Sequence, residues 1–147
     1  MSARSRILLL ALLATVIVIT GCATQQLPYA MASESSMPDF VQSAPAHVRD
    51  AYRFAAANPR EMEKYPCYCG CVHLGHDSAR ACFVKKIDAA GLITFDNHAS
   101  GCGICVDITL DVMRLLREGK SSPEIRTYID ATYSQSGPST NTPLPAA

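Results

Sequence analysis

Five of the chain's cysteines fall in two tight groups whose spacing suits metal ligation, and a sixth lies between them. Three occur in Pro66-Cys67-Tyr68-Cys69-Gly70-Cys71 and two in Cys102-Gly103-Ile104-Cys105, with Cys82 in between. Histidines flank both groups: His73 and His76 follow the first, and His98 precedes the second. Alternate residues of an extended segment point the same way, so Cys67, Cys69 and Cys71 can present their sulfurs along one edge. Gly70 lets the backbone curl around an ion. Residues three apart on a helix share a face, so Cys102 and Cys105 chelate as a pair if a helix starts near Cys102. The N–H groups and dipole of such a terminus favour thiolate, the form that binds metal. Cys82 is placed to close the site from a third side. The expected metal ligands are therefore Cys67, Cys69, Cys71, Cys82, Cys102, Cys105, His76 and His98, with His73 the next candidate.

Thiolate-rich sites suit Zn(II), Cu(I) and iron–sulfur clusters. A structural zinc takes four ligands from paired knuckles, whereas here there is one Cys-x-x-Cys and a surplus of ligands. Cu(I) accepts low coordination and bridging thiolates, so it is the expected ion, with Zn(II) the second that fits. Two other readings stand beside metal binding. An exported domain with an even cysteine count is commonly a disulfide scaffold. Against it, a bridge inside Cys-x-Cys is strained, so the triplet would need three distant partners. The third reading is thiol–disulfide exchange at Cys102/Cys105, a spacing that thioredoxin-type enzymes place in a βαβ context missing here. No serine nucleophile signature, phosphate loop or carboxylate pair stands out, and no enzyme activity is expected.

The elements that must hold these ligands are mostly helical. Ser43 is positioned to cap a helix over Pro45 to Ala57, whose Val48, Ala51, Tyr52 and Ala55 share a face. Arg60 to Tyr65 adds a turn before Pro66. A short helix is expected from Asp77 or Ser78 to about Ala90, with Phe83 and Ile87 on one face and Gly91 as its stop. Leu92 to Phe95 reads as a brief extended piece. The strongest pattern is Ile104, Ile108, Val112 and Leu115, a helix from about Cys102 to Glu118 that Gly119 terminates. A last helix opens at Ser122-Pro123 and buries Ile125, Tyr128, Ile129 and Tyr133. The expected fold is mostly α, a small single domain of about four helices with a cysteine-rich loop. Met62 and Met113 are expected in the core, and His47 on the surface. Tyr68 is expected to pack over the site. Asp96 and Asp107 are candidates to orient histidine, with helix capping an equal alternative for Asp96.

The chain has 147 residues, 7 cysteines and a formal net charge of zero. Arg4 and Arg6 precede an apolar run, Ile7 to Thr20, of signal-peptide length. The run ends in Ile19-Thr20-Gly21-Cys22, a pattern that resembles the bacterial lipobox. That resemblance implies cleavage before Cys22, its acylation, and an exported chain anchored to membrane by lipid. Ala23 stands where an aspartate would favour inner-membrane retention. Loss of residues 1–21 leaves 11 basic and 13 acidic side chains, a net of −2, with no basic patch to suit nucleic acid. The expected division is a signal peptide over 1–21, a flexible tether over 22–43, the cysteine-rich helical domain over 44–134 and a disordered tail over 135–147.

Pro66 to Cys71 also spells the motif that names the PCYCGC-motif bacterial lipoproteins, and the chain resembles that family. The resemblance continues through Gly75-His76, Cys82-Phe83, Asp96-x-His98 and Cys102-Gly103-x-Cys105-x-Asp107. It ends in Glu124-Ile125-Arg126, Ile129-Asp130 and Tyr133, covering about residues 50 to 134. It implies an exported, lipid-anchored, cysteine-rich domain, and the metal reading comes from the residues themselves. Val72 departs from the glycine expected after the hexapeptide, which puts the local turn in question.

Overall fold

A computed structural model describes residues 26–146. The apolar run and Cys22 lie outside the described residues.

The described chain is mostly α with one small hairpin. Helices α1 (Asp39–Gln42), α2 (Ala46–Ala57) and α3 (Pro59–Met62) come first. Strands β1 (Val84–Ile87) and β2 (Ile93–Phe95) follow, and helices α4 (Gly103–Arg117) and α5 (Ser122–Tyr133) complete the order. Single 3-10 turns occupy Glu34–Ser36, Cys71–Leu74, Ala79–Cys82 and His98–Gly101. Helix α4 is the spine. It packs against α2 on one side and α5 on the other. Its Ile108, Val112 and Leu115 are buried, as the apolar stripe requires, while Ile104 is half-buried and Cys105 beside it is buried. Gly119 ends it at φ 76°, where Lys120 N donates to Leu115 O at 3.0 Å.

Two helix starts shift from their expected positions. Ser43 does not cap α2; its N–H ends α1 by donating to Asp39 O, and Pro45 begins α2 instead. The α5 cap is Ser121, one residue before the expected Ser122. Glu124 reaches back to the Ser121 N–H at 2.9 Å, the reciprocal pairing that fixes this frame.

The helix expected from Asp77 to Ala90 does not form. The chain makes the Ala79–Cys82 turn and then β1, antiparallel to β2 with Val84 opposite Phe95. Phe83 is buried while Ile87 is 37% exposed, so the two do not share a face. Asp88 accepts from the N–H groups of Ala90 and Leu92, and Gly91 takes φ 82°. These residues build a hairpin turn, not a helix end.

More of the chain packs than its composition suggests. In the expected tether, Met37 and Val41 are buried, Ala32 N donates to Arg53 O at 3.1 Å, and the Tyr29 ring meets Phe54 edge-on. The expected disordered tail returns to the cysteine loop. Thr140 N donates to Cys67 O at 2.9 Å, and Cys67 N donates to Thr140 Oγ1 at 2.9 Å. Thr142 Oγ1 donates to Asp77 O, and Arg126 donates to the carbonyls of Thr142 and Pro143. Gly137 lies so close that an added Cβ would sit 2.9 Å from Tyr68 O. Thr140→Val keeps the volume but orphans the buried Cys67 N–H. The expected loss is about 1–3 kcal/mol, read as a lower urea midpoint with Thr140→Ser close to wild type. An unchanged midpoint in Thr140→Val would show that the hydrogen bond from Cys67 N to the Thr140 hydroxyl contributes nothing.

Candidate metal centre

Each donor is held by a local device. The pairing with Thr140 clamps Cys67, and Gly70 at φ 82° swings the chain into the Cys71–Leu74 turn. Cys71 therefore leaves the extended path assumed for the triplet. Its sulfur still converges with those of Cys67 and Cys69 because the turn bends inward. Val72 is accommodated half-buried within this turn. Cys82 ends the Ala79–Cys82 turn, whose Ala79 N donates to Tyr65 O at 2.8 Å. Cys102 is the N-cap of α4 and Cys105 the third residue of the helix, so the pair sits at its positive end. His98 rides the His98–Gly101 turn. Asp96 Oδ1 caps that turn by accepting from His98 N at 2.8 Å. The Tyr52 hydroxyl ties the same loop to α2, donating to Asp96 O and accepting from Ser100 N.

The structure brings the six thiols of the described residues and two imidazoles into one contiguous cluster. Cys67, Cys69, Cys71, Cys82, Cys102 and Cys105 are all free. Cys67 Sγ lies 3.3 Å from both Cys69 Sγ and Cys105 Sγ, and Cys69 to Cys105 is 3.6 Å. Cys71 and Cys82 are 3.6 Å apart, and His76 Nδ1 is 3.4 Å from Cys82. On the other side His98 Nε2 is 3.4 Å from Cys69. Two sets of four donors emerge, Cys67/Cys69/Cys71/Cys82 and Cys69/His98/Cys102/Cys105, with the donor atoms of each within 4.8 Å of one another. Sulfurs around one tetrahedral ion stand about 3.8 Å apart, given metal–sulfur bonds of about 2.3 Å. Both sets can hold a metal with small adjustments.

Cys105 is the electrostatic anchor. Hydrogen bonds with Cys67 and Cys82 push its pKa down to about 6, and the α4 terminus acts in the same direction. Cys67 is also lowered: its contact with Cys105 raises it, but those with Cys71 and Cys82 together outweigh that. Burial, then the charges of Cys105 and Cys67, push Cys69 up. Contacts with Cys105, Cys67 and Cys71 raise Cys82 before burial adds to them. The metal-free cluster thus shares protons unevenly. Ultraviolet thiolate absorbance of the reduced, metal-free protein should rise with a first midpoint near pH 6. That midpoint should vanish in Cys105→Ser, and a first midpoint above about pH 8 would contradict the arrangement. The depressed pKa lies below the unfolded thiol's value of about 8.5. Cys105 therefore adds stability that is complete above that pH and is lost as pH falls through about 6.

Other singled-out residues lie elsewhere. His73 and His47 are exposed, and Met62 and Met113 are buried in the core. Tyr68 turns toward α5, where its hydroxyl donates to Asp130 at 2.7 Å, so it braces the loop from outside. Asp107 is exposed on α4. Sequence reasoning places Tyr52 in the core without its grip on the histidine loop. It misses Gly137, Thr140 and Thr142, whose setting carries no periodic signal.

Fold and cluster together define a small, mostly α, thiol-rich domain with donor sets able to hold metal. The chain belongs to the family described as "Protein of unknown function with PCYCGC motif", whose profile matches residues 12–145. No curated protein and no solved structure matches it.

Proposed function

We propose that this protein is a lipid-anchored lipoprotein of the cell envelope that binds Cu(I) for sequestration, tolerance or delivery, without catalytic turnover. The observation that carries the reading is the convergence of six free thiols and two imidazoles in one cluster. That is more donors than one closed zinc site uses, and thiolates in mutual contact suit an ion that accepts bridging sulfur. Bound Cu(I) would also shield the thiols from oxidation outside the cytoplasm. The lipobox-like Ile19-Thr20-Gly21-Cys22 supports export and anchoring at Cys22. Thiol exchange is disfavoured because the thiols with depressed pKa, Cys67 and Cys105, are both fully buried and beyond the reach of a protein disulfide.

Zn(II) is the second reading, and one observation favours it. One set is all cysteine and the other is three cysteines with a histidine, and structural zinc takes both compositions. Anaerobic loading followed by elemental analysis and thiol counting separates the readings. Stoichiometric copper with six reduced thiols is expected. Uptake of Zn(II) but not Cu(I) overturns the copper assignment, and a fully oxidised protein from the native envelope overturns metal binding. Cys22→Ala is expected to move the protein out of the detergent-soluble membrane fraction. Unaltered fractionation would remove the lipid anchor from the proposal.

A further inference from the structure

The two donor sets are not separate sites, because Cys69 belongs to both. Cys67, Cys69 and Cys105 form a waist of sulfurs 3.3 to 3.6 Å apart. Cys71, Cys82 and His76 lie to one side of the waist, through the 3.6 Å and 3.4 Å contacts of Cys82. Cys102 and His98 lie to the other. A single ion takes about four ligands, so it cannot engage both flanks. Two fully independent four-ligand ions would need eight donors, and the two sets contain one fewer because of the shared cysteine. Cys69 is half-exposed, unlike Cys67, Cys71, Cys82 and Cys105, and it is the one thiol in contact with a histidine of the second set. A thiolate has more than one lone pair and can bind two soft cations at once, which places negative charge between them and offsets their repulsion.

We propose that the cluster is dinuclear: one ion sits among Cys67, Cys69, Cys71 and Cys82, a second among Cys69, Cys102, Cys105 and His98, and the Cys69 sulfur bridges them. This rests on the metal-binding reading of the same cluster and adds its nuclearity and connectivity. Each thiol that binds passes its proton to solvent, metal–sulfur and metal–nitrogen bonds form, and the ions keep their oxidation state. The geometry also gives the cluster an open side. The His76 and His98 rings stand 5.3 Å apart at nearly a right angle and line one cleft of about 530 Å³ with Leu74, Arg80 and Lys85. The sulfurs behind them are largely buried. Ions therefore enter and leave past the imidazoles.

The test uses the intact chain, reduced and anaerobic in detergent, titrated with Cu(I) alone against a coloured Cu(I) chelator. Wild type should bind two equivalents. Cys71→Ser and Cys102→Ser should each bind one, because each variant cripples one set and spares the other. Cd(II) NMR reads the bridge itself. Two resonances should show metal–metal coupling through the shared sulfur, and Cys69→Ser should abolish the coupling while its circular dichroism matches wild type. Cys69→Ser should also weaken both ions by at least the roughly 10–100-fold that losing a mere supporting partner costs a metal site. One equivalent per chain, or two uncoupled resonances in wild type, overturns the dinuclear cluster and leaves metal binding standing. Failure to take up either Cu(I) or Cd(II) overturns both.

Discussion

Changing Cys67, Cys69 and Cys71 together to serine is expected to abolish stoichiometric Cu(I) loading. The substitution removes three of four donors from one set and the shared donor from the other. What remains is Cys82 beside His76 on one flank, and Cys102, Cys105 and His98 on the other. Serine hydroxyls do not ionise near neutral pH and are hard donors, so they do not replace thiolate for a soft ion. The backbone needed for the loop is unaffected: Thr140 pairs with main-chain atoms of Cys67, and Gly70 still makes the turn. A folded variant is therefore expected, and far-ultraviolet circular dichroism checks it. Because Cys67 and Cys71 are buried, serine there costs some stability, so Cys102→Ser at a half-exposed position is the milder comparison. Elemental analysis after anaerobic desalting gives the answer. A folded triple variant that keeps a full complement of copper would place the metal elsewhere.

The second large effect is on folding itself. The donors come from three distant segments: the loop at Cys67–Cys71, the turn ending at Cys82, and the start of α4 at Cys102 and Cys105. Ions bound in the two sets, which share Cys69, together tie parts of the chain that in the unfolded state are far apart. Binding to the native state alone stabilises by about 4 kcal/mol when free metal stands at about 1,000 times Kd. A total stability of about 5–15 kcal/mol is usual, so that share is large. The thermal midpoint of the reduced protein should rise steeply with Cu(I) and fall back when a chelator removes it. The same sulfurs, 3.3–3.6 Å apart without metal, are close enough to oxidise in pairs after small movements. Air should therefore convert metal-free protein to disulfide forms faster than loaded protein. A midpoint that ignores Cu(I) would mean that bound metal does not link these segments.

Much of the scaffold is legible from local pattern. The stripe Ile108, Val112 and Leu115 predicts α4, and Gly119 marks its end, because a helical period and a left-handed stop are written in consecutive residues. Val48, Ala51, Tyr52 and Ala55 do the same for α2. The segment from Ala79 to Ile87 misleads because Phe83 and Ile87 have helical spacing. Asp88 and Gly91 there serve a hairpin, and only the pairing of Val84 with Phe95 reveals it. The tail misleads for a related reason. Proline, serine and threonine resemble a solvated linker, but Thr140 and Thr142 are 2% and 7% exposed because they satisfy main-chain groups of the cysteine loop and its neighbour.

The chemistry on offer is legible along the chain: clustered thiols, neighbouring imidazoles, a glycine that lets the triplet turn, and a Cys-x-x-Cys at a helix start. Side-chain type and short spacing carry that information, and neither depends on distant residues. How the donors divide follows from the folded arrangement. That Cys69 belongs to both sets, that Cys82 faces Cys71, that Tyr52 holds the histidine loop and that the tail clamps Cys67 all depend on contacts between residues far apart in the chain. Such contacts use ordinary hydroxyls, carbonyls and amides, which leave no distinctive pattern along the sequence.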